Sequence, residues 1–443
     1  MNTQRFYWLI ASALLLVASA NASVTIQLVV DTHVEPGTGS QNTPADSHVS
    51  IDVTLANDNF VVKLAKETVV YDFDKRKRVV IDNDTKTRVD YSLFDTVGFR
   101  VFELRNRDML GKSMAAANVG QVVMAALDNE HILAIQDKPS APLQARIDGT
   151  DMVFSNDSKV LFRRGQQSTP VSPAEARIFA QFVRYTFGGH PQILAELARA
   201  NSIPAQLVLV THDIGVTTRT IVVKGIRPGD AVPVDVSVFP ARQATASTDP
   251  LDQALDRAVA IGPGELSLAR QRSMDELASA FRGGRGLDAF LGMMEWTLMT
   301  GEGVPPLTPE QKNLLQADTA IRKLNSALAP KTKEDLSSAI DVFAELKPAA
   351  TTKAYVLKIF EANDRGMLGD RSAARKLFLE VLTFNPNIAG VYKDLGDNLI
   401  TGFDMPRAWR CWDIGRRIAP QFANFGPVNQ FERSLAAGHP EFF

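Results

Sequence analysis

Between residues 240 and 250 the hydrophobic period of this 443-residue chain changes, and that change bounds what it can fold into. Before it, apolar and polar side chains alternate. "HVSIDVTLA", "FVVKLA", "TVVYDF", "RVVID" and "RVDYS" follow one another, separated by turns rich in Asn, Asp and Lys. A period of two marks half-buried strands, and such short separations suit an antiparallel meander with one face buried. After Leu251 no strand pattern remains, and Ala, Leu, Arg and Glu recur at helical spacing. The stretch between, "PARQATASTDP" (240–250), is polar, has Pro at both ends and reads as a linker. The expected class is therefore α+β: a curved antiparallel β-sheet domain with helices over 47–240, a linker at 241–250 and an all-helical domain over 251–443.

Inside the first domain, Val69, Tyr71 and Phe73 fall on one face of a strand, and Val79 and Ile81 on one face of the next. A broken helical segment is expected over Ser92–Leu127. Strand patterns return at "HILAIQ", "LQARID", "DMVFS" and "KVLFRR". Ser172-Pro173-Ala174-Glu175 is a capping box with Pro at the first helical position, so a helix starts there and stops at Gly188-Gly189. Pro191 opens a second helix through Ala200. Strands follow at "AQLVLVTH", "TRTIVVKG" and "VPVDVSVF". Residues 23–46 read as an extended lead-in with one strand at Val24–Val30.

The amino end, "MNTQRFYWLIASALLLVASANAS", has Arg5, a short apolar run and an A-x-A site. Together these make a secretory signal peptide over 1–22, cut after Ala22 or Ala20, with an uncleaved anchor as the alternative. No Cys lies near for lipidation, and no later stretch is apolar enough to span a bilayer. Cys411 is the only cysteine, so no internal disulfide can form and an exported, periplasmic chain must rely on its cores. The net charge is −2, which gives no global field towards nucleic acid.

Residues 370–386 and 404–420 repeat a pattern. Asp370 and Asp404, Ala374 and Ala408, Phe378 and Trp412, and Pro386 and Pro420 each stand 34 apart. With Tyr392, Leu395, Gly396 and Leu399 on a first helix and Ala408, Trp412, Gly415 and Pro420 on a second, 387–420 resembles a tetratricopeptide (TPR) unit. Residues 353–386 resemble one in their second half, through Ala374, Phe378, Val381 and Pro386. Their first helix has Lys358, Glu361 and Ala362 where Trp, Leu and Gly are usual. The helix at 308–328 with 335–348, carrying Ala339, Phe343 and Leu346, reads as a degenerate first unit, and the tail as a capping helix. The resemblance implies that the helical domain binds a peptide or protein in its groove. Lys358, Arg365, Lys393 and Asn398 lie on first helices, where they could face it.

The phrase "YDFDKRKRVVIDNDTKTRVDYS" loosely resembles the sheets of periplasmic lipoprotein carriers. That resemblance implies a half-barrel around helices, with acyl chains held by residues such as Val69, Tyr71, Phe73, Val79, Ile81, Phe179 and Phe182. The six histidines have no metal-ligand spacing, G-x-S-x-G is absent, and "RGGRG" (282–286) follows no strand, so no metal, cofactor or catalytic residue is expected. "DKRKR" (74–78) reads as a solvated turn. The functional expectation is an exported, non-enzymatic binding or scaffold protein, with a protein or peptide partner on the TPR-like domain and a possible lipid or acyl chain in the sheet. The alternatives are an envelope hydrolase with its site at the domain junction, or a purely structural protein.

Overall fold

In the computed structural model of the chain, the described residues are 23–37, 45–115, 120–136, 141–157, 159–213, 215–228 and 234–443. The expected signal segment, 1–22, lies outside them.

The first half is built on one antiparallel sheet. Its strands are β1 (Val24–Pro36), β2 (Ser47–Leu55), β3 (Asn59–Lys63), β4 (Glu67–Asp72), β5 (Lys77–Asp82), β6 (Arg88–Ser92), β7 (Gln144–Asp148), β8 (Asp151–Asn156), β9 (Lys159–Gly165), β12 (Gln206–His212) and β13 (Gly215–Pro228). Two short strands, β10 (Ser168–Pro170) and β11 (Ser202–Pro204), pair separately. The order is β6-β5-β4-β3-β2-β1-β13-β12-β9-β8-β7. The meander read from the sequence is the β2–β6 arm. The strand expected at Val24–Val30 runs on to Pro36, and it joins that arm to β13. Residues 24–36 are thus the middle of the sheet and not a lead-in to it.

Two strands expected from the sequence do not form. "HILAIQ" is an irregular turn whose Ala134 and Ile135 are buried. In "VPVDVSVF" the described residues are 234–239, which contain a short 3₁₀ turn at Val236–Val238, and their alternation has another cause. Val234, Val236 and Phe239 pack on Val61, Val70, Val79 and Ile81 across the outer face of the sheet.

Helices α1 (Phe94–Arg105), α2 (Arg107–Ala115) and α3 (Gly120–Ala125) form the broken helical segment. Helices α4 (Pro173–Phe187) and α5 (Pro191–Arg199) cover the other face of the sheet. The Ser172 hydroxyl accepts from the Glu175 amide and the Glu175 carboxylate accepts from the Ser172 amide, as the capping box requires.

The second half is helical among its described residues: α6 (Pro250–Ala260), α7 (Pro263–Arg282), α8 (Gly286–Thr300), α9 (Pro309–Ala317), α10 (Thr319–Ala327), α11 (Lys333–Leu346), α12 (Ala354–Met367), α13 (Arg371–Phe384), α14 (Ala389–Thr401), α15 (Met405–Ile418) and α16 (Gly426–Gly438). Helices pair as hairpins α10–α11, α12–α13 and α14–α15. Asp370 and Asp404 cap α13 and α15 through the amides of Ala373 and Arg407. Phe378 and Trp412, at the same place in the two second helices, are both buried. Gly396 lets α15 come so close that a β-carbon there would overlap the Trp412 indole.

Helix α8 crosses the amino ends of α10, α12 and α14 in turn. Gly286 abuts Asp318, Asp288 accepts from the Thr352 amide at 3.1 Å, and a β-carbon on Gly390 would lie 2.8 Å from Leu298. The two halves share one hydrophobic core. Helix α1 packs on α15 and α16, and the Tyr185 hydroxyl donates to the Phe442 carbonyl at 2.7 Å. The expected linker, 241–250, is held as well. The Arg242 amide donates to the Arg88 carbonyl at 2.9 Å, and the Arg242 side chain pairs with Asp256 at 2.6 Å.

Candidate functional site

A cavity lies in the helical half, between α6, α7 and the turn after α13. It measures about 870 Å³ and takes in Ile261, Leu268, Arg272, Tyr355 and Phe384. A second cavity of about 520 Å³ continues it between α6 and α13. The two share Arg257 and Pro386 in their walls, so they form one groove running along α6. A concave, elongated site with a few placed polar groups is the usual form of a binding site.

The floor is a buried polar network. Glu295 is 1% exposed, on the largely apolar helix α8. Its carboxylate accepts from Asn385 Nδ2 at 2.6 Å, from Ser273 Oγ at 3.4 Å, from the Tyr355 hydroxyl and from Lys353 Nζ. Lys353, only 3% exposed, also pairs with Glu276. Burial works against the ammonium charge, but Glu295 and Glu276 more than offset it and hold its pKa above the ordinary lysine value. Burial, and then the Glu295 charge, push the Tyr355 phenol up, so it stays a donor. The network fixes four elements at once: α7, α8, the start of α12 and the turn after α13.

The rim is apolar. Leu268 is 65% exposed and Phe384 is 64% exposed, and Phe384 stacks on Tyr355 with ring centroids 5.5 Å apart and planes 7° from parallel. Exposed large apolar side chains beside a cavity are informative where isolated ones are not. Asn387, 8% exposed in the same wall, has its Oδ1 without a hydrogen bond.

The charges of the groove divide sharply. Glu276 is paired with Lys353, Glu380 with Lys358 and Asp249 with Arg407. Arg257, Arg272, Arg375 and Lys376 are exposed, and among the described residues none of them has a carboxylate within ion-pair distance.

The residues expected to face a partner are not gathered on one surface. Lys358 binds Glu380 at 2.8 Å and sits over the Phe384 ring, beside two groove residues but not itself among those that line the groove. Arg365 is held by Glu361 on its own helix, and Lys393 by Asp397. Asn398 lines a separate cavity of about 470 Å³ beside Asp370 and Arg371.

The expected apolar lining of the sheet requires correction. Register pairs Val70 with Val79 and Thr68 with Ile81, and directly opposed residues point to the same face. Val79 and Ile81 therefore share the outer face with Val61 and Val70. Val69, Tyr71, Phe179 and Phe182 lie in the main core on the inner face, with Phe73 packed at its margin. There the Phe60 ring stacks on Tyr71 at 4.3 Å and meets Phe182 edge-on at 5.9 Å. These seven side chains do not line one pocket. They fill two separate cores.

A further cavity, of about 580 Å³, lies at the junction of the two halves. Its walls carry Arg88, Arg242, Arg410 and Arg416 against Asp90, Asp256 and Asp413, with no hydroxyl, thiol or imidazole among them. Sequence reasoning missed the floor of the main groove. Its one sequence signal was Glu295, an acid near the middle of the apolar run "GLDAFLGMMEWTLMT".

No known protein family matches the chain, and no curated protein is similar to it in sequence.

Proposed function

We propose that this is an exported, non-enzymatic binding or scaffold protein whose TPR-like helical half holds a partner polypeptide in the groove along α6. The observation that carries the reading is the pairing of exposed Leu268 and Phe384 with a floor held rigid by the buried Glu295 network. Rigid apolar anchors over a preorganised floor are what a polypeptide-binding surface needs. The capped hairpins α12–α13 and α14–α15, with Phe378 and Trp412 in matching places, support the TPR-like description. The sheet half serves as the support of the helical half, through the shared core and the Tyr185–Phe442 contact. An acyl-chain role for it is not carried forward, because Phe60, Tyr71 and Phe182 pack on one another. The hydrolase alternative finds no support in the junction cavity, whose polar walls hold ion-paired arginines and aspartates.

The test is purification of the tagged chain from the periplasm under mild conditions, with mass spectrometry of what accompanies it. The reading predicts one protein partner in near-stoichiometric amount, lost from a Leu268→Glu/Phe384→Glu double variant. A partner retained by that variant, or recovery of lipid alone, contradicts it.

A further inference from the structure

The groove also carries information on what kind of segment enters it. Its acids are engaged within the chain: Glu276 and Glu295 share Lys353, Glu380 pairs with Lys358, Asp249 pairs with Arg407, and Glu265 accepts from the Gly262 amide at 3.4 Å. Its exposed cations are not. Arg272 stands on the α7 side, Arg257 at the waist where the two cavities meet, and Arg375 and Lys376 on the α13 side. The positive charge therefore runs the length of the groove instead of forming one patch. Apolar contacts flank it: exposed Leu268 and Phe384 at one end and half-buried Leu379 at the other.

Resting on the reading of this groove as the partner site, we propose that its occupant is an extended, acidic segment of another protein. The segment carries Asp or Glu side chains interleaved with apolar or aromatic ones. Carboxylates facing Arg272, Arg257, Arg375 and Lys376 form the close ion pairs that, among the described residues, no carboxylate of the chain makes with these four. Apolar side chains between them meet Leu268 and Phe384. Guanidinium groups suit this role because each offers a planar fork of donors to a carboxylate. Pairs formed at such a rim act mainly on selection and association rate, and the apolar anchors on residence time.

The experiment is selection of a displayed random twelve-residue peptide library on the immobilised full chain, followed by titration of the enriched peptides. The expected enriched set is net acidic with interspersed Leu, Phe, Tyr or Trp. Its binding should weaken several-fold when salt rises from about 50 to about 300 mM, as screening of exposed charge requires. Arg272→Glu/Lys376→Glu should weaken it at least tenfold. Both positions are exposed, so circular dichroism should match that of the parent chain, and Phe384→Ala provides a second variant that leaves the charges in place. Enrichment of neutral or basic peptides that Phe384→Ala weakens would overturn the acidic assignment and leave the groove as the partner site. Acidic peptides that ignore both variants, or no enrichment at all, would overturn this proposal. The partner site itself is then judged by the Leu268→Glu/Phe384→Glu purification.

Discussion

Gly98 on α1 lies directly against the indole of Trp409 on α15, so close that a β-carbon there would overlap the ring. Trp409 is fully buried, and its Nε1 donates to Glu432 on α16 at 3.0 Å, so the ring cannot swing aside freely. This contact ties the sheet half to the helical half. Gly98→Ala should therefore destabilise the chain by about 1–3 kcal/mol, and Gly98→Val by more, as overpacking does in a close-packed interior. Urea unfolding followed by tryptophan fluorescence checks it. An unchanged midpoint for Gly98→Val would contradict the packing.

The floor of the groove makes a second prediction. Glu295→Ala leaves the Lys353 ammonium with Glu276 as its remaining carboxylate and deprives Asn385 and Tyr355 of their acceptor. Breaking a buried pair from one side costs about 3–5 kcal/mol. Replacing both members with apolar residues, as Glu295→Leu/Lys353→Met, should cost clearly less than the sum of the two single changes. Denaturant midpoints of the four proteins give the coupling directly.

Acid should weaken the fold through His190. The ring is 2% exposed and caps α5, its Nδ1 accepting from the Gln192 amide. Burial, and then the neighbouring His131, lower its pKa from 6.5 to about 4. The unfolded chain thus binds the proton more readily, and stability falls as pH drops from 6.5 towards about 4. The full effect is at most about 3 kcal/mol. His190→Asn keeps a capping side chain and removes the titration, so it should flatten this limb of the stability–pH curve. A curve of unchanged slope in that variant would contradict the assignment.

The inner core of the sheet makes a fourth prediction. Phe182 is fully buried and meets Phe60 and Phe187 edge-on. Phe182→Ala should cost about 3–5 kcal/mol, the usual range for emptying an aromatic site in a core. Solvent extraction of the purified parent chain should yield no stoichiometric acyl lipid. Recovery of such a lipid, together with a mild effect of Phe182→Ala, would restore the carrier reading.

What was legible in the sequence was local. The Ser172 capping box, the Asp370 and Asp404 caps and the β2–β6 meander each depend on residues a few positions apart. The α+β division followed from the change of hydrophobic period. What was not legible depends on distant partners. Nothing in Val24–Pro36 says that β2 and β13 will flank it. The faces of Val69 and Val79 depend on which residue of β4 meets which of β5, and a shift of one position reverses the answer. Val234 and Val236 alternate with polar residues because they lie on the sheet, which from sequence looks the same as lying in it. The groove joins residues from α6, α7, α8, α12 and α13, so no window of sequence contains it.

The most direct test of the central claim places a photo-crosslinking amino acid at Leu268 or Phe384 on the groove rim, and in a separate protein at Ile147. Ile147 is 72% exposed on strand β7, at the far edge of the sheet. Irradiation of cells exporting each protein should give one discrete protein adduct from positions 268 and 384 and none from 147. Adducts formed from 147 alone, or equally from all three positions, would contradict a partner held in the groove along α6.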